Sequence, residues 1–239
     1  MFERHTKEDN ANARELLDQA LALDPNYAIA LSLKAVTHLQ DARFGYSASR
    51  AESFMSAVDH CQKAMALNDS DPDTLALWGV IEIAQGQFEQ GMASGEKALA
   101  LGPNNAEVHA MLGFIHYYAG NYQRVVRLFR RAIRLHPHYP AWYSQFLGKA
   151  LLEAKQYDAA LEAFRDVMLR APHLVWGHTG SALAYVRMGR LQEAREEMNK
   201  TLAVDPEYTA QMYMESDNFY KDSEILNRII DDLRRAGLK

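Results

Sequence analysis

Apolar residues recur along the chain at helical spacing, in blocks that each end on a short apolar stretch followed by a proline. Four of these prolines are 34, 35 and 34 residues apart, namely Pro103, Pro137, Pro172 and Pro206. An earlier stretch ends at Pro25, and another has Asp69 in the proline position. A fixed period of this length predicts a helical repeat array, in which each unit buries its apolar face against its neighbours.

Each period divides into two helical patterns with a turn between them. In the unit that ends at Pro137, the first pattern begins at Asn105, Gly120 closes it, and the second begins at Tyr122. Glycine can adopt the left-handed conformation that ends a helix. Proline lacks an N–H and disfavours a helical conformation in the residue before it, so the second helix stops there.

Four successive units share this pattern in register, and a small residue occupies the same position in each, at Gly79, Gly113, Gly148 and Ala182. The pattern resembles the tetratricopeptide repeat, W-x2-L-G-x2-Y…A-x3-F…P. The resemblance implies an all-α fold, a right-handed α-α superhelix of about five helix pairs with a lone N-terminal helix and a C-terminal capping helix. We expect a single array over residues 1–239, made of a half repeat 9–24, repeats 26–69, 70–103, 104–137, 138–172 and 173–206, and a cap 207–239.

Two departures from the pattern carry local predictions. Lys155 stands where the other units have a turn glycine, so we expect that turn to be slightly strained or differently shaped. Gly91 and Gly95 replace an alanine and a phenylalanine of the pattern, which predicts an under-packed and intrinsically weak second helix in that unit.

The first full unit and the two ends of the chain are irregular. Residues 26–69 contain ten more residues than a neighbouring unit, which predicts an extended loop around residues 41–49, with Phe44 and Tyr46 either tucked in or offered to a partner. Residues 9–24 match only a second helix, so we expect the parent protein to continue upstream. At the other end, Asp222 can cap a last amphipathic helix.

A narrower resemblance rests on four segments, residues 4–10, 44–47, 137–143 and 220–238. They are similar to the C-terminal repeat module of bacterial class III adenylyl cyclases, and comparable modules follow winged-helix domains in some bacterial regulators. The resemblance implies a regulatory part of a signalling protein, without the cyclase domain itself. The alternatives are the sensory module of a winged-helix transcriptional regulator and a homodimerisation module.

Composition narrows the function classes. The net charge of −5 gives no reason to expect a nucleic-acid partner. Apolar residues make up 48% of the chain, but no run approaches the length needed to cross a bilayer, so we expect no membrane segment. We expect a cytoplasmic location, or a periplasmic one if the parent protein has an upstream membrane helix. The single cysteine, Cys61, excludes an intrachain disulfide.

No residue pattern predicts catalysis. His109 and His116 lie seven positions apart, and His136 and His138 form a short pair, but neither has the further ligands that a zinc site needs. Phosphate-binding loops and nucleophile motifs are absent from the sequence. We therefore predict no enzyme activity, no cofactor and no metal.

In the tetratricopeptide-repeat family the first helix of each pair lines a concave groove. That arrangement implies a protein or peptide partner, or a second copy of the chain. It would place Ile29, Leu33 and Val36 on the groove side of the first unit. The apolar and aromatic character of the later positions is typical of a binding surface, although some of them could instead pack within the superhelix or under the C-terminal segment. The groove residues predicted in this way are Leu77, Val80, Met111, Phe114, Tyr117, Tyr118, Trp142, Gln145, Phe146, Lys149, Trp176, Thr179, Leu183 and Arg187.

Overall fold

The structure, a computed structural model, describes residues 6–239, and within that range it contains thirteen α-helices and no strand. The predicted all-α class is confirmed. Arg4 and His5, part of the segment 4–10, lie outside the described residues. The helices are α1 (Lys7–Leu23), α2 (Ala28–Phe44), α3 (Arg50–Leu67), α4 (Pro72–Ala84), α5 (Phe88–Leu101), α6 (Ala106–Tyr118), α7 (Tyr122–Leu135), α8 (Ala141–Glu153), α9 (Tyr157–Arg170), α10 (Trp176–Arg187), α11 (Leu191–Val204), α12 (Ala210–Ser216) and α13 (Ser223–Arg235).

The helices belong to two compact units, of which unit 1 ends at Ile115 and unit 2 begins at His116. In unit 1, side-chain oxygens of Thr6, Ser49 and Asp71 accept hydrogen bonds from the first turns of α1, α3 and α4. These caps satisfy N–H groups that have no partner inside the helix, and so fix where each helix begins. A buried cluster that includes Ala35 and Cys61 joins α2, α3 and α4.

Most of the ten extra residues of the first full unit lengthen its helices. α2 has 17 residues and α3 has 18, against 13 in α4 and 14 in α5. The prediction of an extended loop is therefore wrong, because only residues 45–49 separate α2 from α3. Gly45 ends α2 in the left-handed conformation, with φ of 68°. The Arg50 guanidinium then donates to the carbonyls of Ala42 and Arg43, at 2.8 and 2.6 Å, which stabilises the longer helix end.

The two glycines of α5 permit a close helix contact. A Cβ atom at Gly91 would lie 2.7 Å from the Gly79 carbonyl oxygen, and one at Gly95 would lie 2.7 Å from Leu112 Cδ1. Both distances are too short for a side chain, so the space beside each glycine is already filled. The predicted under-packing of α5 is wrong, because α4 lies close to α5 and neighbouring aliphatic side chains fill the space beside the two glycines.

Unit 2 contains the helix pairs α8/α9 and α10/α11, and the aromatic ring of Phe164 on α9 packs between two glycines. A Cβ atom at Gly148 on α8 would lie 2.6 Å from the Phe164 ring, and one at Gly180 on α10 would lie 2.4 Å from it. The small residue at each position therefore lets one ring fill the space between three helices.

The turn between α8 and α9 is strained, as predicted. Lys155 has φ of 59° and is the one non-glycine residue with positive φ within residues 6–239. The corresponding turn residues of the other pairs, Gly86, Gly120 and Gly189, have φ of 77°, 83° and 78°. A residue with a Cβ atom in this conformation costs roughly 1–2 kcal/mol.

The C-terminal segment, which we define as residues 207–239, contains α12 and α13. The Asp222 carboxylate accepts a hydrogen bond from the Glu224 N–H and begins α13, as predicted. α13 buries Ile229, Ile230 and Leu233, and packs against α10 and α12.

Candidate partner-binding grooves

The groove side of unit 1 presents apolar side chains to solvent. On α2, the side chains of Ile29 and Leu33 are one turn apart and 55% and 37% exposed, and Val36 is half-buried one turn further on. Val80 on α4 and Met111 on α6 are also half-buried. We call these five residues the unit 1 face. Exposed apolar side chains that recur at helical spacing are typical of a surface that binds another protein.

The other two predicted groove residues of unit 1 are covered. Leu77 is buried in the cluster below the face, on which Val36 and Met111 pack. Phe114 is buried, and the Arg43 guanidinium carbon lies 5.3 Å from its ring centroid. The additional turn of α2 brings Arg43 over this ring, so the longer helix closes one end of the face with a cation–π contact.

In unit 2 the C-terminal segment lies on the groove side of the helices. The ring centroid of Tyr220 is 5.7 Å from that of Tyr117 and 5.0 Å from that of Tyr118, and Phe219 is 5.4 Å from Tyr118. Tyr117, Tyr118 and Phe146 are buried. The structure therefore brings these predicted residues together beneath a segment of the same chain. We call Tyr117, Tyr118, Phe146, Lys149 and Arg187 the unit 2 face.

A buried carboxylate is held at the centre of this contact. The Lys149 ammonium donates to Asp217 Oδ2 at 2.8 Å, the Tyr220 hydroxyl donates to the same oxygen at 2.9 Å, and the Tyr118 hydroxyl donates to Oδ1. The side chains of Lys149 and Asp217 are only 8% and 3% exposed. A charge removed from water in this way is tolerated when an opposite charge and hydrogen-bond donors replace the water.

Aromatic rings surround the ammonium group. Its nitrogen lies 5.2 Å from the ring centroid of Phe146, 5.6 Å from that of Tyr117 and 5.3 Å from that of Tyr213. Burial, and then the negative charge of Asp217, raise the pKa of Tyr213 well above its usual value near 10. The same two causes raise the pKa of Tyr220 well above that value, so the hydroxyl that donates to Asp217 Oδ2 stays protonated.

Arg187 is the second cationic residue that the C-terminal segment covers. Its Nε donates to Asp232 Oδ2 at 2.9 Å, and its Nη1 donates to Glu153 Oε1 at 2.7 Å. Arg228 of α13 donates to the other Glu153 oxygen at 2.6 Å. Two ion-pair networks, at Asp217 and at Asp232, thus attach the segment to unit 2.

Four of the five remaining predicted groove residues lie beside the segment, and the fifth, Trp142, packs on rings of α7 and α8. Trp142 is half-buried, with its ring centroid 4.6 Å from that of Tyr143 and 5.7 Å from that of Phe129. Tyr208 and Tyr213 close a cavity of about 20 Å³, large enough for about one water molecule and not for a peptide. Its lining includes Gln145, Trp176, Thr179 and Leu183.

Sequence reasoning missed the acidic residues of the C-terminal segment. It placed Lys149 and Arg187 in an apolar groove without naming their counter-charges. Such cationic residues require acidic partners when they are buried, and this requirement is the one signal that could have led to the aspartates of the C-terminal segment. The spacing of 68 residues between Lys149 and Asp217 left no local pattern to identify the pair.

Among residues 6–239, no group of three or more His, Cys, Asp or Glu side chains is arranged to hold a metal ion. His109 is buried, and its Nε2 lies 3.0 Å from the Pro103 carbonyl oxygen, while His116 Nδ1 lies 3.1 Å from the Asn121 side-chain nitrogen. In the same described part of the chain, no helix is both long and apolar enough to cross a membrane.

Family and structural comparisons agree with this architecture. Residues 82–144, 116–174 and 151–214 match the family model described as tetratricopeptide repeat, and together these ranges cover more than half of the chain. No curated protein sequence matches the chain.

Several solved structures have a similar fold. A chain of the APC/C hetero-tetramer Cut9–Hcn1 superposes with a TM-score of 0.71 at 19% identity, over 96% of this chain and 40% of that one. YrrB, described as a TPR protein with an unusual peptide-binding site, gives 0.54 at 18% identity over 86% of this chain and 99% of its own. MamA gives 0.54 at 23% identity over 65% of this chain and 91% of its own. The chain spans less than half the length of the Cut9–Hcn1 chain, and identities this low establish the fold alone.

Proposed function

Because the chain belongs to the tetratricopeptide-repeat family, we propose that it is a non-catalytic protein–protein interaction module whose partner binds the unit 1 face. The observation that carries this proposal is the exposure of Ile29 and Leu33 on one side of α2. YrrB has a peptide-binding site and Cut9 assembles with Hcn1, which agrees with an interaction role for this fold.

The chemistry of the unit 1 face favours an amphipathic helix with basic flanks. Ile29, Leu33, Val36, Val80 and Met111 offer aliphatic contacts and no charge, so they fit apolar side chains that recur at positions i, i+3/4 and i+7. Residues 6–115 contain seven Lys and Arg against fifteen Asp and Glu. This negative balance attracts a basic partner, and it opposes association of the face with the same face of a second copy.

A peptide selection tests the proposal. Random peptides displayed on phage are selected against the immobilised chain, and the enriched peptides are then synthesised. We expect apolar residues at helical spacing with lysine or arginine at their flanks. Leu33→Asp should weaken binding at least about tenfold, because it places a charge within the apolar contact.

Leu169→Asp is the matched control. Leu169 lies on α9 in unit 2 and is 78% exposed, so the same substitution there leaves the unit 1 face intact. Failure to enrich any helical pattern, or equal binding of the enriched peptides to the wild type and Leu33→Asp, would refute a partner site on the unit 1 face.

The resemblance of residues 137–143 and 220–238 to adenylyl-cyclase modules supports a place for the array beside a catalytic domain in a cytoplasmic signalling protein. That placement, like the winged-helix alternative, stays a prediction. Incubation of the chain with ATP and a divalent metal should produce no cyclic AMP, and production of cyclic AMP would contradict the non-catalytic role. Light scattering at high protein concentration tests the homodimer alternative.

A further inference from the structure

The C-terminal segment contacts unit 2 in the manner of a bound ligand. It presents Tyr213, Asp217 and Tyr220, and the carboxylate of Asp217 is received by groups that the repeat helices supply, the Lys149 ammonium and the Tyr118 hydroxyl. We propose that the unit 2 face is a second recognition site, specific for a segment of the pattern Tyr-x3-Asp-x2-Tyr. The chain's own C-terminal segment occupies this site as a displaceable internal ligand.

The recognition is specific for a carboxylate. Lys149 is buried among aromatic rings, where an unpaired ammonium would be costly, so the occupant of the site must bring a negative charge. The Tyr118 hydroxyl donates to one oxygen of the Asp217 carboxylate, and the Tyr220 hydroxyl donates to the other. An asparagine in place of Asp217 would keep the shape of the side chain but lose the charge.

The tyrosines on either side of Asp217 determine the intervals between residues that the site requires of its ligand. Tyr220 stacks edge-to-face on Tyr117 and Tyr118, with its hydroxyl 2.8 Å from the Tyr117 hydroxyl oxygen. Tyr213, four residues before Asp217, lies against the Lys149 ammonium. Asp217 and Tyr213 thus contact the Lys149 ammonium directly, and Tyr220 donates to the carboxylate oxygen that the ammonium binds, which requires both the residue types and their intervals.

The repeat helices of unit 2 also pack on one another, in addition to their contacts with the segment, and this makes displacement physically reasonable. Phe164 fills the space between Gly148 and Gly180 and joins α8, α9 and α10. In the segment, α12 has only seven residues, and residues 217–222 are not helical. A buried ion pair adds specificity more than stability, because desolvation offsets much of its attraction. An acidic partner segment can therefore compete for Lys149.

A binding experiment in trans tests the proposal on the full chain. The probe is a fluorescein-labelled synthetic peptide of residues 207–239, and binding is measured by fluorescence anisotropy. Asp217→Asn in the chain weakens the internal ligand, so the peptide should bind this variant at least about tenfold more tightly than the wild type. A peptide with Asn in place of Asp217 should bind neither protein.

Asp231→Asn is the matched control, since it removes one negative charge from the same segment at a side chain that is 71% exposed. The chain with Asp231→Asn should bind the peptide as the wild type does. Equal affinity of the Asp217→Asn chain and the wild type for the peptide would overturn the proposal. Equal binding of the 207–239 peptide and its form with Asn in place of Asp217 would overturn it as well, because it would show that binding does not depend on the carboxylate.

Hydrogen exchange of the wild-type chain keeps the proposal testable if Asp217→Asn fails to fold. Amides of α12 and α13 should exchange at least about tenfold faster than the slowest amides of α8 and α9, because the segment opens without unfolding of the repeats. Exchange of all four helices at one common rate would show that the segment is a fixed part of the core, and would refute a displaceable ligand.

Discussion

Lys149→Met tests what it costs to leave the buried carboxylate of Asp217 without its counter-charge. The side chains of Lys149 and Asp217 are 8% and 3% exposed, so the substitution leaves a carboxylate in the interior without its counter-charge. Breaking a buried pair in this way costs about 3–5 kcal/mol. The Tyr118 and Tyr220 hydroxyls still donate to the carboxylate, so we expect a loss of about 3 kcal/mol in the free energy of unfolding.

The assay is urea denaturation followed by near-ultraviolet circular dichroism, which reports the packing of the tyrosines. Combining Lys149→Met with Asp217→Asn should cost at least about 1 kcal/mol less than the sum of the two single substitutions, since each removes the charge that the other leaves unpaired. Lys200→Met is the control, because the Lys200 side chain is 57% exposed and its ion pair with Glu197 contributes little. A Lys149→Met variant whose free energy of unfolding lies within about 0.5 kcal/mol of the wild-type value would refute the expected cost of breaking the buried pair.

Three further predictions concern packing and titration. Lys155→Gly should stabilise the chain by about 0.5–1 kcal/mol in thermal or urea unfolding, because it removes a Cβ atom from a left-handed turn residue; unchanged or reduced stability would contradict the strained turn. Gly180→Ala should destabilise unit 2 by about 1–3 kcal/mol, since its Cβ atom would lie 2.4 Å from the Phe164 ring; a neutral effect would show that the ring moves freely. Burial, and then the charges of Arg14 and His60, lower the pKa of His38 in the folded chain from 6.5 to about 4. The unfolded chain therefore takes up this proton at a higher pH than the folded chain does. The resulting stability is fully present above pH 6.5 and is lost as the pH falls towards 4. His38→Gln should reduce that loss when urea midpoints at pH 7 and pH 4.5 are compared, and an identical loss in the variant would assign it to other groups.

Periodicity predicted the regular part of the fold because its causes are local. Turn glycines, prolines and apolar spacing each act within one helix pair, and the left-handed conformation at Lys155 follows from its place in the repeat. The lengths of α2 and α3 were not predictable from the period. The end of α2 is held by hydrogen bonds from Arg50, a contact between two helices that the repeat pattern does not contain.

The candidate site was only partly predictable for a different reason. Helical spacing places Leu33 and Lys149 on the groove side of their helices, but it does not show whether another segment covers them. Coverage of Lys149 depends on Asp217, which lies 68 residues further along the chain. The same limitation applies to Gly95, whose neighbour Leu112 belongs to the next helix pair.

Carbene footprinting with and without a selected peptide tests the central claim, that a partner binds the unit 1 face while the C-terminal segment occupies the unit 2 face. The account predicts strong labelling of Ile29 and Leu33 in the free chain, weak labelling of Tyr117 and Phe146, and loss of label on α2 when the peptide is added. Labelling of Tyr117 and Phe146 in the free chain as strong as that of Leu33, or peptide protection confined to α8 and α10, would contradict it.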